Sequence, residues 1–178
     1  MSGSAPLVAL ARALDQVGDL LVHVRSDLLD RPTPCSEWTL GQLADHVVAG
    51  PANFATMLRG EQPDWSAGPP HLDGGWASVF RSSADDLMHL WHQGAAQEGS
   101  DPDWQTAEFA VHGWDLAHAL GRSTSELDPQ VAERGLAFMR ANLRAEIRGE
   151  VFGPEQPAPA DGDAYDAIAA FAGRTVPA

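Results

Sequence analysis

The sequence contains no lysine. All 11 of its basic residues are arginine, set against 25 acidic ones, and the 178-residue chain carries a formal net charge of −14. That balance excludes a nucleic-acid binder, because a phosphate backbone demands clustered positive charge. No basic run occurs either, so an anionic membrane surface is excluded as a partner on the same ground. Cysteine is almost absent. The single Cys35 cannot close an internal disulfide, which points to a reducing, cytoplasmic home. No run of about 18 apolar residues exists, so no segment reads as a membrane span. The opening MSGSAPLVALARALDQ lacks a basic leader, and Asp15 interrupts its apolar stretch, so no signal peptide is expected. The two-residue alternation of a half-buried strand is missing, as are Asn-Gly hairpin turns and internal repeats.

What remains is helical. The composition is 44% hydrophobic and 7% aromatic, a globular balance, and the expectation is a single domain over residues 1–178. Leu7, Leu10, Leu14, Leu21, Val24 and Leu28 recur at helical spacing, predicting a first helix from Pro6 to about Asp30 that ends at Arg31-Pro32-Thr33-Pro34. Thr39 and Gln42 form a capping box opening a second helix, Leu40 to about Arg59, in which Pro51 suggests a kink. A Pro, Gly and Asp-rich loop precedes a third helix, roughly Trp76 to Gln97. Asp101-Pro102 and Asp128-Pro129 each have the form of an N-cap followed by proline at the first helical position. They open a fourth helix that stops at Gly121 and a fifth that ends near Gly149. A Pro-rich tail and a short helix, Ala164 to Phe171, fold back on the rest, so that 152–178 packs on a helix bundle.

The fourth helix holds the sharpest chemical signal. At about 100° per residue, Glu108, His112 and Asp115 fall on one line. Apolar stripes flank it, Trp104, Ala107 and Val111 on one side and Phe109, Leu116 and Leu120 on the other. An ordinary surface helix segregates its charges away from its apolar face. A carboxylate is almost never buried unpaired, because losing its hydration costs several kcal/mol. A shared cation would resolve that cost. Glu-x-x-x-His aims two side chains at one spot, and His46, set between the core positions Leu43 and Val47 of the second helix, is the candidate third ligand. The alternative is equally physical: an inward histidine is often hydrogen-bonded in a core, and the same spacing serves many exposed pairs.

Other residues carry weaker signals. His89 and His92, three apart, are either a second ligand pair or partly exposed; His118 lies off the polar line, and His23 and His71 have no evident partner. Cys35 reads as a reactive thiol or as a small plug before the second helix. Trp38, Trp65 and Trp104 stand where they could line a cavity mouth.

Three motifs are familiar together. Pro34-Cys35-Ser36-Glu37-Trp38-Thr39 followed by His46, the run Glu108-Phe109-Ala110-Val111-His112-Gly113-Trp114-Asp115, and the tail from Phe152-Gly153-Pro154 to Phe171-Ala172-Gly173-Arg174 resemble the mycothiol-dependent maleylpyruvate isomerase family. The match covers nearly the whole chain and is nearest an uncharacterised branch. The resemblance implies an all-α, DinB-like four-helix bundle with additional short C-terminal helices. It also implies one divalent metal ion held by His46, Glu108 and His112, zinc before nickel, with a mycothiol-type thiol as co-substrate and Asp115 as a support for a ligand histidine. The isomerase has an additional C-terminal domain contributing to its active site. This chain ends at Ala178, so the expectation is a thiol transferase or isomerase acting on another electrophile. The alternative is a non-catalytic metal- or thiol-binding module. Partners are thus a small thiol and an electrophilic substrate, with a homodimer left open.

Overall fold

The apolar stripes predicted from spacing become the inner faces of packed helices. The computed structural model describes residues 4–35, 37–64, 68–144, 146, 148 and 152–177. Among these are helices α1 (Ser4–Leu21), α2 (Leu40–Leu58), α3 (Trp76–His92), α4 (Pro102–Ala119), α5 (Pro129–Asn142) and α6 (Ala164–Phe171). No strand occurs among the described residues, only an isolated bridge between Pro32 and Thr39. Helices α1, α3, α2 and α4 close a ring, each against the next, and α5 and α6 pack on the outside of α4. This is the all-α bundle expected from the sequence. Among the described residues, no helix is long and apolar enough to cross a membrane.

Because α4 touches α1, α2, α5 and α6, it is buried almost all round. Its Phe109 meets Phe54 of α2 and Phe80 of α3 edge-on, at centroid separations of 5.9 and 5.8 Å. A helix in that position has little solvent face on which to place charge. The polar line through Glu108, His112 and Asp115 therefore enters the core.

The caps act as the sequence predicts. Thr39 and Gln42 bond reciprocally at 3.4 and 2.9 Å. Asp101 accepts from the Asp103 amide at 2.8 Å and Asp128 from that of Gln130 at 3.0 Å, while Asp163 and Asp166 form a further capping box at the start of α6. Helix α2 runs on through Pro51.

Three helix ends differ from expectation. The first helix stops at Leu21, because the His23 and Val24 amides tighten onto Leu20 and Leu21. Val24 still reaches the core from the turn, and Ser26–Leu28 forms a separate 3₁₀ turn. Apolar spacing cannot distinguish these routes. Helix α3 stops at His92, five residues early, since Gly94 takes φ 75° and the Ala95 amide reaches back to Leu90. Helix α5 ends at Asn142 rather than near Gly149; Leu143 turns extended at φ −94°, ψ 95°. Gly149 and Trp65 lie outside the described residues.

The α4–α5 contact depends on one small residue. A Cβ at Gly135 would sit 2.9 Å from Ala107 Cα and 2.9 Å from Ile168 Cδ1. Replacing Gly135→Ala should therefore destabilise the protein by about 1–3 kcal/mol, read as a lower urea midpoint at unchanged m-value. Wild-type stability in that variant would show that α5 can back away from α4 at no cost.

Candidate metal centre

His46 is positioned by its neighbours in α2. Leu43 and Val47 are buried on either side, and the preceding Asp45 is tied down by three donors. It accepts from the His71 ring at 2.7 Å, the Leu72 amide at 3.2 Å and the Trp76 indole at 3.1 Å. His71, without an evident partner in the sequence, thus helps pin the loop before α3 to the helix that presents His46. The loop before α2 supplies a cover. Trp38 NH bonds to Cys35 O, and its ring lies 4.5 Å from the His46 ring and 6.1 Å from that of His112.

The structure brings the three predicted ligands together. His46 Nε2 lies 3.4 Å from Glu108 Oε1, and His112 Nε2 lies 3.2 Å from the same oxygen. The three potential ligand atoms are all within 4.8 Å of one another. Ligand bonds of about 2.0–2.1 Å in a tetrahedral site would hold neighbouring donor atoms about 3.3 Å apart. Two imidazole nitrogens and a carboxylate oxygen at these separations fit a divalent ion such as zinc. His112 is nearly buried, whereas the His46 and Glu108 side chains keep 32% and 28% of their surface exposed. One side of the centre is thus open to a small molecule.

Behind His112 stands a buried relay. His112 Nδ1–H donates to Asp115 Oδ2 at 3.1 Å, which leaves Nε2 facing Glu108. Asp115 is 0% exposed and is gripped by Arg174, whose Nε reaches Oδ1 at 3.2 Å and whose Nη2 reaches Oδ2 at 2.9 Å. A two-pronged guanidinium–carboxylate contact fixes orientation as well as charge. Arg174 is delivered by a backbone crossing. Gly173 takes φ 90°, and a Cβ there would lie 2.8 Å from the Gly153 backbone. Arg174 appears in the tail motif but reading the sequence assigned it no role. The available signal was an arginine in the apolar run Phe171–Val176, matched to a buried carboxylate in need of a cation.

The electrostatics follow from this geometry. Burial works against charge on Glu108, but the His112 and His46 rings outweigh it and hold the carboxyl far below its usual range. Burial likewise works against protonation of His112, yet Glu108 and Asp115 prevail and push its pKa up to about 9. Asp115 stays low because hydrogen bonds from His112 and Arg174 overcome its desolvation. Burial pushes the half-buried Cys35 thiol up, with Arg174 opposing, which is the wrong direction for a thiolate nucleophile.

The remaining candidates lie elsewhere. His89 and His92 are exposed, and His89 bonds to Gln93 at 2.8 Å. Neither belongs to the three-residue cluster identified among the described residues. His118 stacks on Trp114 at 3.8 Å and bonds the Trp114 carbonyl. His23 is exposed on the turn after α1.

Residues 10–117 match the family model described as the mycothiol maleylpyruvate isomerase N-terminal domain. The chain belongs to that family. The matched stretch runs from α1 to α4 and includes His46, Glu108, His112 and Asp115, but stops well before Arg174. Two uncharacterised proteins, from two strains of Mycobacterium tuberculosis, are each 35% identical over 191 aligned positions, covering 96% of this chain and 98% of the relative. Those alignments extend into the tail that the isomerase-domain match leaves out. No solved structure matches the chain.

Two outcomes test the centre. At neutral pH the His112 proton must leave before an ion can bind Nε2, and protonation is greater at lower pH. Apparent zinc affinity should therefore rise about tenfold per pH unit from about pH 7 and level off as His112 loses its proton near pH 9; a flat titration would disprove the competition. Replacing Arg174→Met leaves Asp115 buried with only His112, and should destabilise the fold by about 3–5 kcal/mol and weaken metal binding about 10–100-fold.

Proposed function

We propose that this protein is a divalent-metal-dependent enzyme that activates a low-molecular-weight thiol of the mycothiol type for transfer to, or isomerisation of, an electrophilic substrate. The observation that carries the reading is the shared Glu108 oxygen, 3.4 and 3.2 Å from two histidine nitrogens on different helices. His46, Glu108 and His112 would hold the ion, zinc before nickel. Bound there with a coordination position left open, it would lower the pKa of an incoming thiol towards neutrality.

The chain's own residues do the rest. Asp115 and Arg174 hold the His112 ring in the orientation that leaves Nε2 available. Trp38 shields the His46 face from bulk water, and the exposed edges of His46 and Glu108 leave an entrance. Cys35, with its raised pKa, is poorly suited to serve as the nucleophile, which favours an external thiol. Membership of the mycothiol maleylpyruvate isomerase N-terminal domain family supports a mycothiol-type co-substrate. The lone cysteine favours a reducing compartment, in keeping with cytoplasmic action.

Elemental analysis of purified protein should find about one divalent ion per chain, and mycothiol should be consumed with at least one member of an electrophile panel. His46→Ala should lower metal affinity by orders of magnitude, leaving two ligands on one helix, and abolish that consumption. Its stability should fall by no more than the roughly 0.5–3 kcal/mol of a point change, with helical circular dichroism intact. Full metal content in His46→Ala would sink the three-ligand site. Full metal content in the wild type without thiol consumption would favour a binding module instead.

A further inference from the structure

Against Glu108 lies a cavity of about 140 Å³. Its walls come from Trp104 and Val111 of α4, Phe138 and Met139 of α5, and Leu143 and Phe152 beyond it. Trp104, Ala107, Glu108 and Val111 occupy successive turns of one α4 face, so the cavity borders the polar line itself. The early end of α5 makes room for it. Leu143 leaves the helix in an extended conformation, and Phe152 returns to pack on the same core. Trp104 stands at the rim, 37% exposed and braced edge-on against Phe54 at 5.3 Å.

We propose that this cavity is a substrate subsite that takes an uncharged, benzene-sized apolar group and so holds the electrophile beside Glu108. This rests on the catalytic reading above. The size sets the occupant: an apolar protein cavity of about 150 Å³ accommodates benzene. The chemistry sets its charge. Among the described residues lining the cavity, Glu108 alone is ionisable and Asn142 alone carries an amide; none is cationic. The nearby Arg174 is already occupied by Asp115. A carboxylate-bearing group would therefore lose its hydration against a wall that offers no cation of its own. The preferred substrate class is a neutral electrophile carrying an aryl or similarly compact hydrophobic substituent.

The full-length protein, as purified and after metal removal, is titrated with benzene and with benzoate by ligand-observed NMR. Benzene should bind both forms, and benzoate should not bind the metal-free form. Filling the cavity with Leu143→Trp should weaken benzene binding about tenfold or more. The same change should remove the preference for a benzyl over a methyl electrophile of equal leaving group, seen in KM, by a comparable factor. Should Leu143→Trp fail to fold, the wild-type titration decides. Absence of benzene binding to the folded wild type, equal binding by a folded Leu143→Trp, or benzoate binding to the metal-free form as well as benzene would each overturn the subsite. Thiol turnover without benzene binding overturns the subsite and leaves the catalytic reading standing. Benzene binding with no turnover of any electrophile overturns the catalytic reading, and with it the cavity's role as a substrate site.

Discussion

A carboxylate removed from water loses several kcal/mol of hydration unless other charges replace it. Asp115, fully buried on α4, is held under that constraint by one partner near in sequence and one far: His112, one turn away, and Arg174, in the C-terminal tail. Because the tail must bring Arg174 to Asp115, α6 has to lie across α4 and α5. Because Asp115 must keep its second partner, the His112 ring is locked with Nε2 towards Glu108. A structural demand for buried charge balance thus sets the orientation of a candidate ligand.

The helix that carries these groups is unusual for a bundle of this size. Packed on four others, α4 has little solvent face, so each of its buried polar residues needs a specific partner. Thr106 bonds the Pro102 carbonyl, Gln105 accepts from the Trp91 indole, and Trp114 donates to Asp166. Among the described residues, no buried side-chain nitrogen or oxygen is left without a partner. Glu108 departs from the pattern in one respect: its partners are two histidines that could exchange a proton for a metal ion. That property separates a candidate centre from a merely satisfied core.

Small residues then decide how closely the neighbouring elements approach. Gly135 lets α5 lie against Ala107, and the Gly153–Gly173 crossing brings the tail backbone close enough to deliver Arg174. The same packing that closes the α4–α5 contact at Gly135 opens a gap farther along, where α5 ends and Leu143 diverges. Core contact and cavity thus share walls from the same two helices, α4 and α5.

Local features were legible in the chain because local chemistry sets them. Capping residues marked where α2, α4 and α5 begin, and apolar spacing marked the inward faces of α1 and α2. The shared direction of Glu108 and His112 is a property of a single helix, readable from a four-residue separation. Helix ends were less legible, because apolar spacing continues past Leu21 and His92 whether or not the backbone does. His46 stood out by its core neighbours and by resemblance, but its contact with Glu108 spans 62 residues. The Arg174–Asp115 contact spans 59, and the cavity needs walls from α4, α5 and the tail at once. Periodicity and caps act over one or two turns of backbone. Which distant side chains meet depends on how whole helices pack, and that is settled only when the core closes around α4.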